Sequence, residues 1–389
     1  MAKKTGSLFF ILLILPFFLH SDHFTISLWL HSSMFSKGKS TAVRELDEKL
    51  SYYKKIGIEN LYVFNTLKSE HKKGWSFLRS LIKIAHKKGL KVHPVITSGN
   101  RIREKRIIKK HPDWLIRDQF KRIFPYLNLS NPDARHYILK KITKLLKYNI
   151  DGIHLDYIRF PYLGRNDRGN SAMSILLSLI RTTLYQYIPD SVFHGIADNC
   201  FSYDRETLKR FGKYYKDLDH EDIDEKVRIL NEWRKWNISN VTLLVKNVKD
   251  LIIRSGKNIP LSAAIISNRD FAKNSLGQDW GHWGRMGIVD VLCPMIYTND
   301  PGWFRERLKN VITEVKGGCR VYAGIAIVSS HSRNTEKGIK AQIRIARELN
   351  ADGIVLFSGW SLQLSAISIQ PSAHSFQPTA FGWDLGSRE

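Results

Sequence analysis

Short apolar segments alternate with amphipathic helical patterns along most of the chain. Eight segments of strand length occur, and in chain order they read FTISLWL, NLYVFNT, KVHPVIT, DGIHLDYIRFPY, PLSAAIIS, VDVLCPMIY, RVYAGIAIV and DGIVLFSGW. Between them, apolar residues recur three or four positions apart, for example Leu46, Leu50 and Tyr53, which is the spacing of one helix face. Strands that alternate with helices in this way predict βα units and a parallel sheet.

Eight βα units in a chain of 389 residues fit an α/β fold, the (β/α)8 TIM barrel, which we predict for residues 22–362. Several segments are almost continuously apolar, as parallel strands buried on both faces require. A long helical insertion, which includes VRILNEWRKWNISNVTLLVKNVKDLI, separates the fourth and fifth strands. The alternative, a doubly wound sheet, favours a glycine-rich phosphate loop after the first strand, and LWLHSSMFSKGKS contains none.

The two ends differ from the barrel in composition. Lys3 and Lys4 precede the apolar run LFFILLILPFFL, which is short for a membrane span. This order predicts a signal peptide or a retained hydrophobic anchor in residues 1–21, and hence an exported protein, extracellular or in the periplasm or cell envelope. Residues 363–389 are rich in Ser, Gln and Pro and predict a flexible tail.

The formal net charge is +25, from 61 Lys and Arg against 36 Asp and Glu. Such an excess suits nucleic acid, an anionic membrane surface or an acidic polymer. The basic residues are spread over helical patterns, however, and no basic strand face interleaved with aromatic residues is evident. We therefore read most of them as solvated helix faces and expect no nucleic-acid partner.

The fourth segment contains an ionisable pair, His154 and Asp156, two positions apart. Side chains alternate along a strand, so these two face the same way, and active sites of TIM barrels lie at the carboxyl ends of the strands. Asp156 is then placed near the mouth as a nucleophile or general base, with His154 and Arg159 as donors that keep it ionised. The alternative is a buried aspartate satisfied by Arg159 without chemistry. His93 and His154 are each either substrate contacts or core histidines.

Other chemistries find little support in the sequence. The three cysteines form no C-x-x-C motif, and H-x-H, H-E-x-x-H and G-x-S-x-G are absent. A metal cluster of His93, His154 and Asp156 is the disfavoured alternative, so we expect neither metal nor cofactor. The tryptophans of DWGHWG and SGWS fall near the predicted mouth, where they either stack on sugar rings or pack as ordinary core aromatics.

Several separate motifs resemble one known family. They are HPDWLIRD, YLNLSNPDAR, DGIHLDYIRFP, EWRKWNI, and QDWGHW followed by VDVLCPMIY. Together they resemble the family-10-like glycosylhydrolase proteins, bacterial glycosidases with a TIM-barrel catalytic domain. The resemblance implies hydrolysis of O-glycosidic bonds in an exported or cell-envelope polysaccharide, with peptidoglycan glycan strands among the candidates. The pocket residues that it implies are His93, His154, Asp156, Arg234, Asn237, Gln278, Asp279 and Tyr297, to which position at the mouth adds Trp29, Arg159 and Trp360.

The partner of Asp156 remains open at this stage. Glycosidases use two carboxyl groups, one protonated and one ionised, and Tyr157 stands where the family often has a second acid. We rank Asp300 first, because it directly follows the sixth predicted strand, then Asp279. Asp198 and Asp204 in the insertion are further candidates. For each of the four, the alternative is an aspartate that caps a turn or a helix. The competing function is a non-catalytic polysaccharide-binding barrel that has lost its acid.

Overall fold

The computed structural model describes residues 23–32, 39–64, 66, 77–99, 102, 104–118, 121–161, 201–212, 222–329 and 332–357. Within them, eight parallel strands close into a barrel, which confirms the predicted TIM barrel. The barrel strands are β1 (Thr25–His31), β2 (Asn60–Phe64), β3 (Lys91–Thr97), β6 (Ile153–Asp156), β7 (Leu261–Ile266), β8 (Val291–Met295), β9 (Arg320–Ala326) and β10 (Gly353–Phe357), and they follow one another in this order around the barrel.

Helices connect the strands on the outside. They are α1 (Lys39–Lys55), α2 (Phe77–Lys87), α3 (Lys105–Lys110), α4 (Pro132–Leu145), α5 (Arg205–Phe211), α6 (Ile223–Arg254), α7 (Trp280–Arg285), α8 (Pro301–Val315) and α9 (Glu336–Glu348). The predicted insertion between the fourth and fifth barrel strands contains α5 and the 32-residue α6. In the part of the chain that the structure describes, no helix is long and apolar enough to cross a membrane.

A small antiparallel hairpin, β4 (Leu115–Arg117) with β5 (Ile123–Leu127), lies between β3 and α4 and was not predicted from the sequence. Its turn is held by the Asp118 carboxylate, which accepts the Arg122 backbone N–H at 3.0 Å. Lys121 adopts a left-handed φ of 65° there. The sequence signal was two short apolar runs, WLIR and RIFPYL, separated by the four residues DQFK.

Alternation along the strands divides the core into two parts. Outward-facing residues such as Leu28 and Leu155 pack beneath the helices. Inward-facing residues such as Trp29, Tyr62 and Cys293 fill the barrel itself. The interior is therefore a packed core rather than a pore, as layered side chains in TIM barrels require.

Aspartates close the amino-terminal end of the barrel. Asp151, Asp290 and Asp352 each precede a strand, and each accepts a backbone N–H from the neighbouring strand. The acceptor distances are 2.7 Å to Val92 N, 2.7 Å to Leu261 N and 2.8 Å to Val321 N, respectively. These bonds satisfy donors at the strand starts that would otherwise be orphaned, so this end of the barrel serves stability.

The predictions for residues 1–21 and 363–389, and for Trp360, lie outside the described residues.

Candidate active site

Asp156 is the last residue of β6 and faces the barrel interior at its carboxyl end, on the side opposite Leu155. It is only 7% exposed. Its Oδ1 accepts the backbone N–H of Tyr157 at 2.7 Å. Burial raises the pKa of Asp156 to about 6, against the opposing effects of that N–H and of the Arg159 charge. The carboxyl group therefore changes protonation close to neutral pH.

The backbone around Asp156 is held by close contact between two strand ends. Ser98 N donates to the Asp156 carbonyl at 3.0 Å, and Gly99 N donates to the Tyr157 carbonyl at 2.7 Å. A Cβ on Gly99 would lie 1.9 Å from the Arg159 carbonyl oxygen, so only glycine allows this approach. Tyr157 itself has a left-handed φ of 50°, an unfavourable conformation for a bulky residue. Such an over-determined backbone is typical of a functional site.

Arg159 lies beside the carboxylate. Its guanidinium carbon is 4.9 Å from the centre of the Tyr157 ring, and its charge lowers the pKa of Asp156. Its Nε is buried and has no hydrogen-bond partner among the described residues. The side chain thus offers a buried donor next to Asp156.

Tyr297 and Phe357 form an aromatic wall near Asp156. Their rings are stacked, with centroids 5.3 Å apart and planes inclined by 24°. Burial, and next the charge of Asp156, raise the pKa of Tyr297 well above its usual value, so its hydroxyl remains protonated. Phe357 ends β10 at an interior position, and this aromatic strand end went unnoticed in the sequence although the alternation of β10 indicated it.

One layer below Asp156, His154 belongs to a buried polar chain. Trp29 Nε1 donates to His154 Nε2 at 3.1 Å, so the ring proton must be on Nδ1, which donates to Ser262 Oγ at 2.8 Å. Ser262 Oγ in turn donates to the Ile153 carbonyl at 3.3 Å. Burial lowers the pKa of His154 to about 3. His154 and Trp29, fully and almost fully buried, are therefore placed beneath the site as neutral supports.

His93 lies deeper still. Thr97 pairs with Asp156 and Val95 with His154, so His93 is two interior positions below the carboxylate. Burial lowers its pKa to about 4, and its ring packs edge-on against Tyr62 with centroids 5.1 Å apart. A Cβ on Gly152 would lie 2.1 Å from His93 Nδ1. The resemblance implied His93 as a pocket residue; in the structure it is the third residue of β3 and lies in the lower half of the barrel, below Asp156.

Gln278 joins two strand ends. It is buried, its Oε1 accepts the Ile266 N–H at 2.8 Å, and its Nε2 donates to the Ala264 carbonyl at 3.2 Å. A longer contact of 3.5 Å reaches the Ile158 carbonyl in the loop after β6. Gln278 therefore positions the backbone around Asp156.

The predicted acid partners have separate roles in the structure. The exposed Asp300 caps α8, accepting from Gly302 N at 2.7 Å and Trp303 N at 3.2 Å. Asp204 caps α5 and also accepts from Asn128 and Ser202 at 3.0 and 2.8 Å. Asp279 pairs with Lys273 at 3.1 Å, and its Oδ1 is buried without a hydrogen-bond partner among the described residues. Asp198 lies outside the described residues.

No second carboxylate is among the described groups that shift the pKa of Asp156. Nor do three or more His, Cys, Asp or Glu side chains gather into a metal-binding group within the described residues, His93, His154 and Asp156 included. The arrangement is that of one buried carboxylate with a cation and an aromatic wall beside it.

Arg234 and Asn237 lie on α6, outside the barrel interior. Asn237 is fully buried, its Oδ1 accepts from Ser130 Oγ at 2.7 Å, and its Nδ2 donates to the Trp233 carbonyl at 2.8 Å. Arg234 donates to Asn231 Oδ1 at 2.7 Å. These hydrogen bonds tie α6 to itself and to the segment before α4, and none of them reaches Asp156.

Several glycosidases are among the solved structures to which this chain is similar. A β-galactosidase from Bacillus circulans sp. alkalophilus is 15% identical with a TM-score of 0.57, and the match covers 86% of this chain and 50% of that one. An α-L-fucosidase isoenzyme 2 from Paenibacillus thiaminolyticus is 13% identical with a TM-score of 0.47, covering 86% of this chain and 46% of that one. An endo-1,4-β-D-mannanase from Thermotoga petrophila RKU-1 is also 13% identical, with a TM-score of 0.48 and coverage of 86% and 88%.

This chain spans about half the length of the first two enzymes, and at such low identity the likeness to the β-galactosidase establishes the fold alone. No curated protein matches the sequence. The model of the family described as Glycosyl hydrolase-like 10, in contrast, matches residues 59–326, which include Asp156 and every strand from β2 to β9. The chain belongs to the Glycosyl hydrolase-like 10 family.

Proposed function

We propose that this protein is a glycoside hydrolase that cleaves O-glycosidic bonds of an exported or cell-envelope polysaccharide, with Asp156 as its nucleophile or general base. The observation that carries the proposal is a buried carboxylate at the carboxyl end of the barrel with its pKa raised to about 6. Catalytic acids and bases work best when their pKa lies near the operating pH. Membership of a glycosyl hydrolase-like family supports glycoside hydrolysis as the reaction.

The neighbours of Asp156 suit an attack on a sugar carbon. Above pH 6 the carboxylate is mostly ionised, yet it is little exposed, so few water molecules compete with a bound glycan. The Arg159 cation favours the ionised form. The stacked rings of Tyr297 and Phe357 offer an apolar face of the kind that packs against a pyranose ring.

Asp279 is the better of the two remaining candidates for the acid. Asp300 already accepts two backbone N–H groups as the cap of α8. Asp279 instead has a buried oxygen without a hydrogen-bond partner among the described residues. It follows Gln278, whose side chain bonds to the last residues of β7 and reaches the Ile158 carbonyl just after β6, so Asp279 lies in a loop at the carboxyl end of the barrel.

Cleavage of purified envelope polysaccharides, followed as release of reducing ends, tests the proposal. The Asp156→Asn variant keeps the size of the side chain and removes the charge, and we expect its rate to fall by roughly 10²- to 10⁴-fold. Asp279→Asn should lower the rate by a comparable factor. Asp300→Asn is the matched control, because it changes an exposed cap and should leave the rate within a few-fold. Unchanged cleavage by Asp156→Asn would overturn the assignment.

A second function, a polysaccharide-binding barrel without catalysis, is favoured by one observation. None of the described groups that shift the pKa of Asp156 is a carboxylate, and Tyr157 occupies the neighbouring position. This alternative predicts that the wild-type protein binds a polysaccharide without releasing reducing ends. It also predicts equal affinity for Asp156→Asn, whereas a glycosidase predicts cleavage that only the wild type performs.

We also propose export, supported by the charged and then apolar order of residues 1–21. Intact mass measurement of the protein recovered from the producing cells separates the two forms, since a cleaved signal peptide shortens the chain and a retained anchor does not. Recovery from the cytoplasm with the segment intact would contradict export.

A further inference from the structure

The end of the barrel opposite Asp156 carries an unusual arc of side chains. Outer helices of a TIM barrel run antiparallel to the strands, so their last turns meet the strand starts at this amino-terminal end. The connections into β3, β6, β7 and β8 are neighbours there, because these four strands are consecutive around the barrel. We call this set of four connections the basal arc.

A basic groove of about 570 Å³ occupies one half of the basal arc, between α2 and α4. Cationic side chains line it from both sides, including Lys83 on α2, Lys144 in the last turn of α4 and Lys147 just after α4. All three lysines are exposed, and none of the residues that line the groove is acidic. The nearby Asp151 is already bonded to His86 and to Val92 N at 2.8 and 2.7 Å.

The other half of the basal arc exposes apolar side chains. Ile253, at the end of α6, is 62% exposed, and Met286, directly after α7, is 65% exposed, which are the two highest values among the large hydrophobic residues of the described chain. Arg254 is exposed beside Ile253. Asp290 in this half bonds to Lys249 at 2.7 Å and to Leu261 N at 2.7 Å.

Helix geometry alone does not account for this combination. Cations near a helix C-terminus complement the helix dipole, which explains single lysines in last turns. The helix dipole explains neither why cations from two helices line one groove nor why Ile253 and Met286 are exposed. Basic residues beside exposed apolar ones are instead the composition of surfaces that rest in a lipid interface.

The chain enters the barrel at the same end. The run LFFILLILPFFL precedes β1, and β1 begins at Thr25, at the amino-terminal end of the barrel. Whatever the fate of residues 1–21, the chain therefore enters the barrel on the side of the basal arc.

We propose that the basal arc docks on a bilayer that contains anionic phospholipids. The groove lysines bind lipid phosphates, Ile253 and Met286 insert at the boundary between headgroups and acyl chains, and the mouth with Asp156 faces away from the membrane. Each basic residue near an anionic surface strengthens partitioning by about fivefold. This inference is independent of the proposed glycosidase activity.

Vesicle co-sedimentation of the full chain tests the inference. Phosphatidylcholine vesicles with and without phosphatidylglycerol separate the anionic contribution from binding through the N-terminal apolar run. The triple variant Lys83→Gln, Lys144→Gln, Lys147→Gln should lose about 100-fold of the partitioning onto anionic vesicles at low salt. The double variant Ile253→Ser, Met286→Ser should lose about tenfold.

A matched control removes the same charge at the opposite end. Lys105, Lys109 and Lys110 are exposed on α3, which follows the carboxyl end of β3, and their change to Gln should leave vesicle binding within a few-fold. Melting temperatures establish that each variant is folded.

Three results would overturn the inference. Equal losses in the groove variant and the control would mean that binding follows net charge alone. Equal binding of every variant to both kinds of vesicle would mean that the apolar run acts by itself. Tighter binding to soluble polyphosphate or duplex DNA than to anionic vesicles would identify the groove as a site for a free polyanion.

Discussion

At the scale of single residues, the depth of a side chain in the barrel decides whether it can react with a substrate or only supports the site. Asp156 and His154 share one face of β6, as the sequence predicted, yet the two side chains meet different surroundings. His154 has a partner for each ring nitrogen and is kept neutral by burial, which lowers its pKa to about 3. Asp156, one layer higher, has one N–H for one of its oxygens and a nearby Arg159.

The raised pKa of Asp156 predicts a pH-dependent gain in stability for Asp156→Asn. Its pKa is about 6 in the folded protein, above its ordinary value of 3.8, so the folded state favours the protonated group. That stabilisation is complete below pH 4 and is lost as the pH rises through 6, a difference of about 3 kcal/mol. Urea unfolding should show Asp156→Asn to be more stable than wild type by up to about this amount at pH 8, and nearly equal at pH 4.

The exposed Asp300 supplies the comparison for that measurement. Its change to Asn keeps a good helix cap, so the unfolding free energy should stay within about 0.5 kcal/mol at both pH values. A stability of Asp156→Asn that runs parallel to wild type from pH 4 to pH 8 would show that Asp156 is not strained by its burial.

The sequence predicted the site only in part, and the reason is physical. The two-residue period of a strand predicted that Asp156 and His154 lie on the same face of β6, because successive side chains of a strand point to opposite faces. The depth of a side chain in the barrel could not be read in the same way: His93 also faces the interior, but it lies two layers below Asp156 and one below His154. Asp300 was ranked first because it follows the sixth predicted strand. Its carboxylate instead caps the N-terminus of α8, and a capping aspartate looks the same in sequence as a catalytic one.

At the scale of elements, short apolar segments between helical patterns predicted all eight barrel strands, with β3 starting and ending where expected. The long buried strands of a parallel sheet leave a strong pattern, because both faces are covered. The short hairpin of β4 and β5 left a weak one. Three residues are too few to reveal the two-residue period of a strand, so β4 could not be predicted from its own pattern. The turn through Asp118 was the remaining signal.

The contact between the ends of β3 and β6 predicts a large effect for Gly99→Ala. The added methyl would lie 1.9 Å from the Arg159 carbonyl and 2.8 Å from the Tyr157 carbonyl, both of which are backbone atoms. The two segments must separate, so we expect a loss of about 1–3 kcal/mol in unfolding free energy. Because these segments hold Asp156, cleavage should fall more than stability alone explains at a temperature where the variant is folded.

Ser98→Ala is the neighbouring control. Its hydroxyl is buried without a hydrogen-bond partner among the described residues, so its removal should cost little. If Gly99→Ala matched Ser98→Ala in both stability and cleavage, the close approach of the two strand ends would have no bearing on the site.

At the scale of the whole molecule, the two ends of the barrel have different chemistry. The carboxyl end holds Asp156 in a buried setting beside Arg159 and the Tyr297–Phe357 wall. At the amino-terminal end, carboxylates such as Asp151 and Asp290 accept backbone N–H groups, and exposed cations surround them. A closed barrel allows this division, because the strands join the two ends rigidly while the loops at each end vary independently.

The pH dependence of glycan cleavage tests the central claim most directly. If ionised Asp156 performs the chemistry, kcat/KM for a polysaccharide substrate should fall about tenfold per pH unit below an apparent pKa near 6, the value to which burial raises this group. Asp156→Asn should lose most of the activity, and the activity that remains should not show this fall at low pH. A wild-type rate that stays flat or rises as the pH falls from 7 to 5, or an Asp156→Asn variant that cleaves with the same profile, would contradict the account.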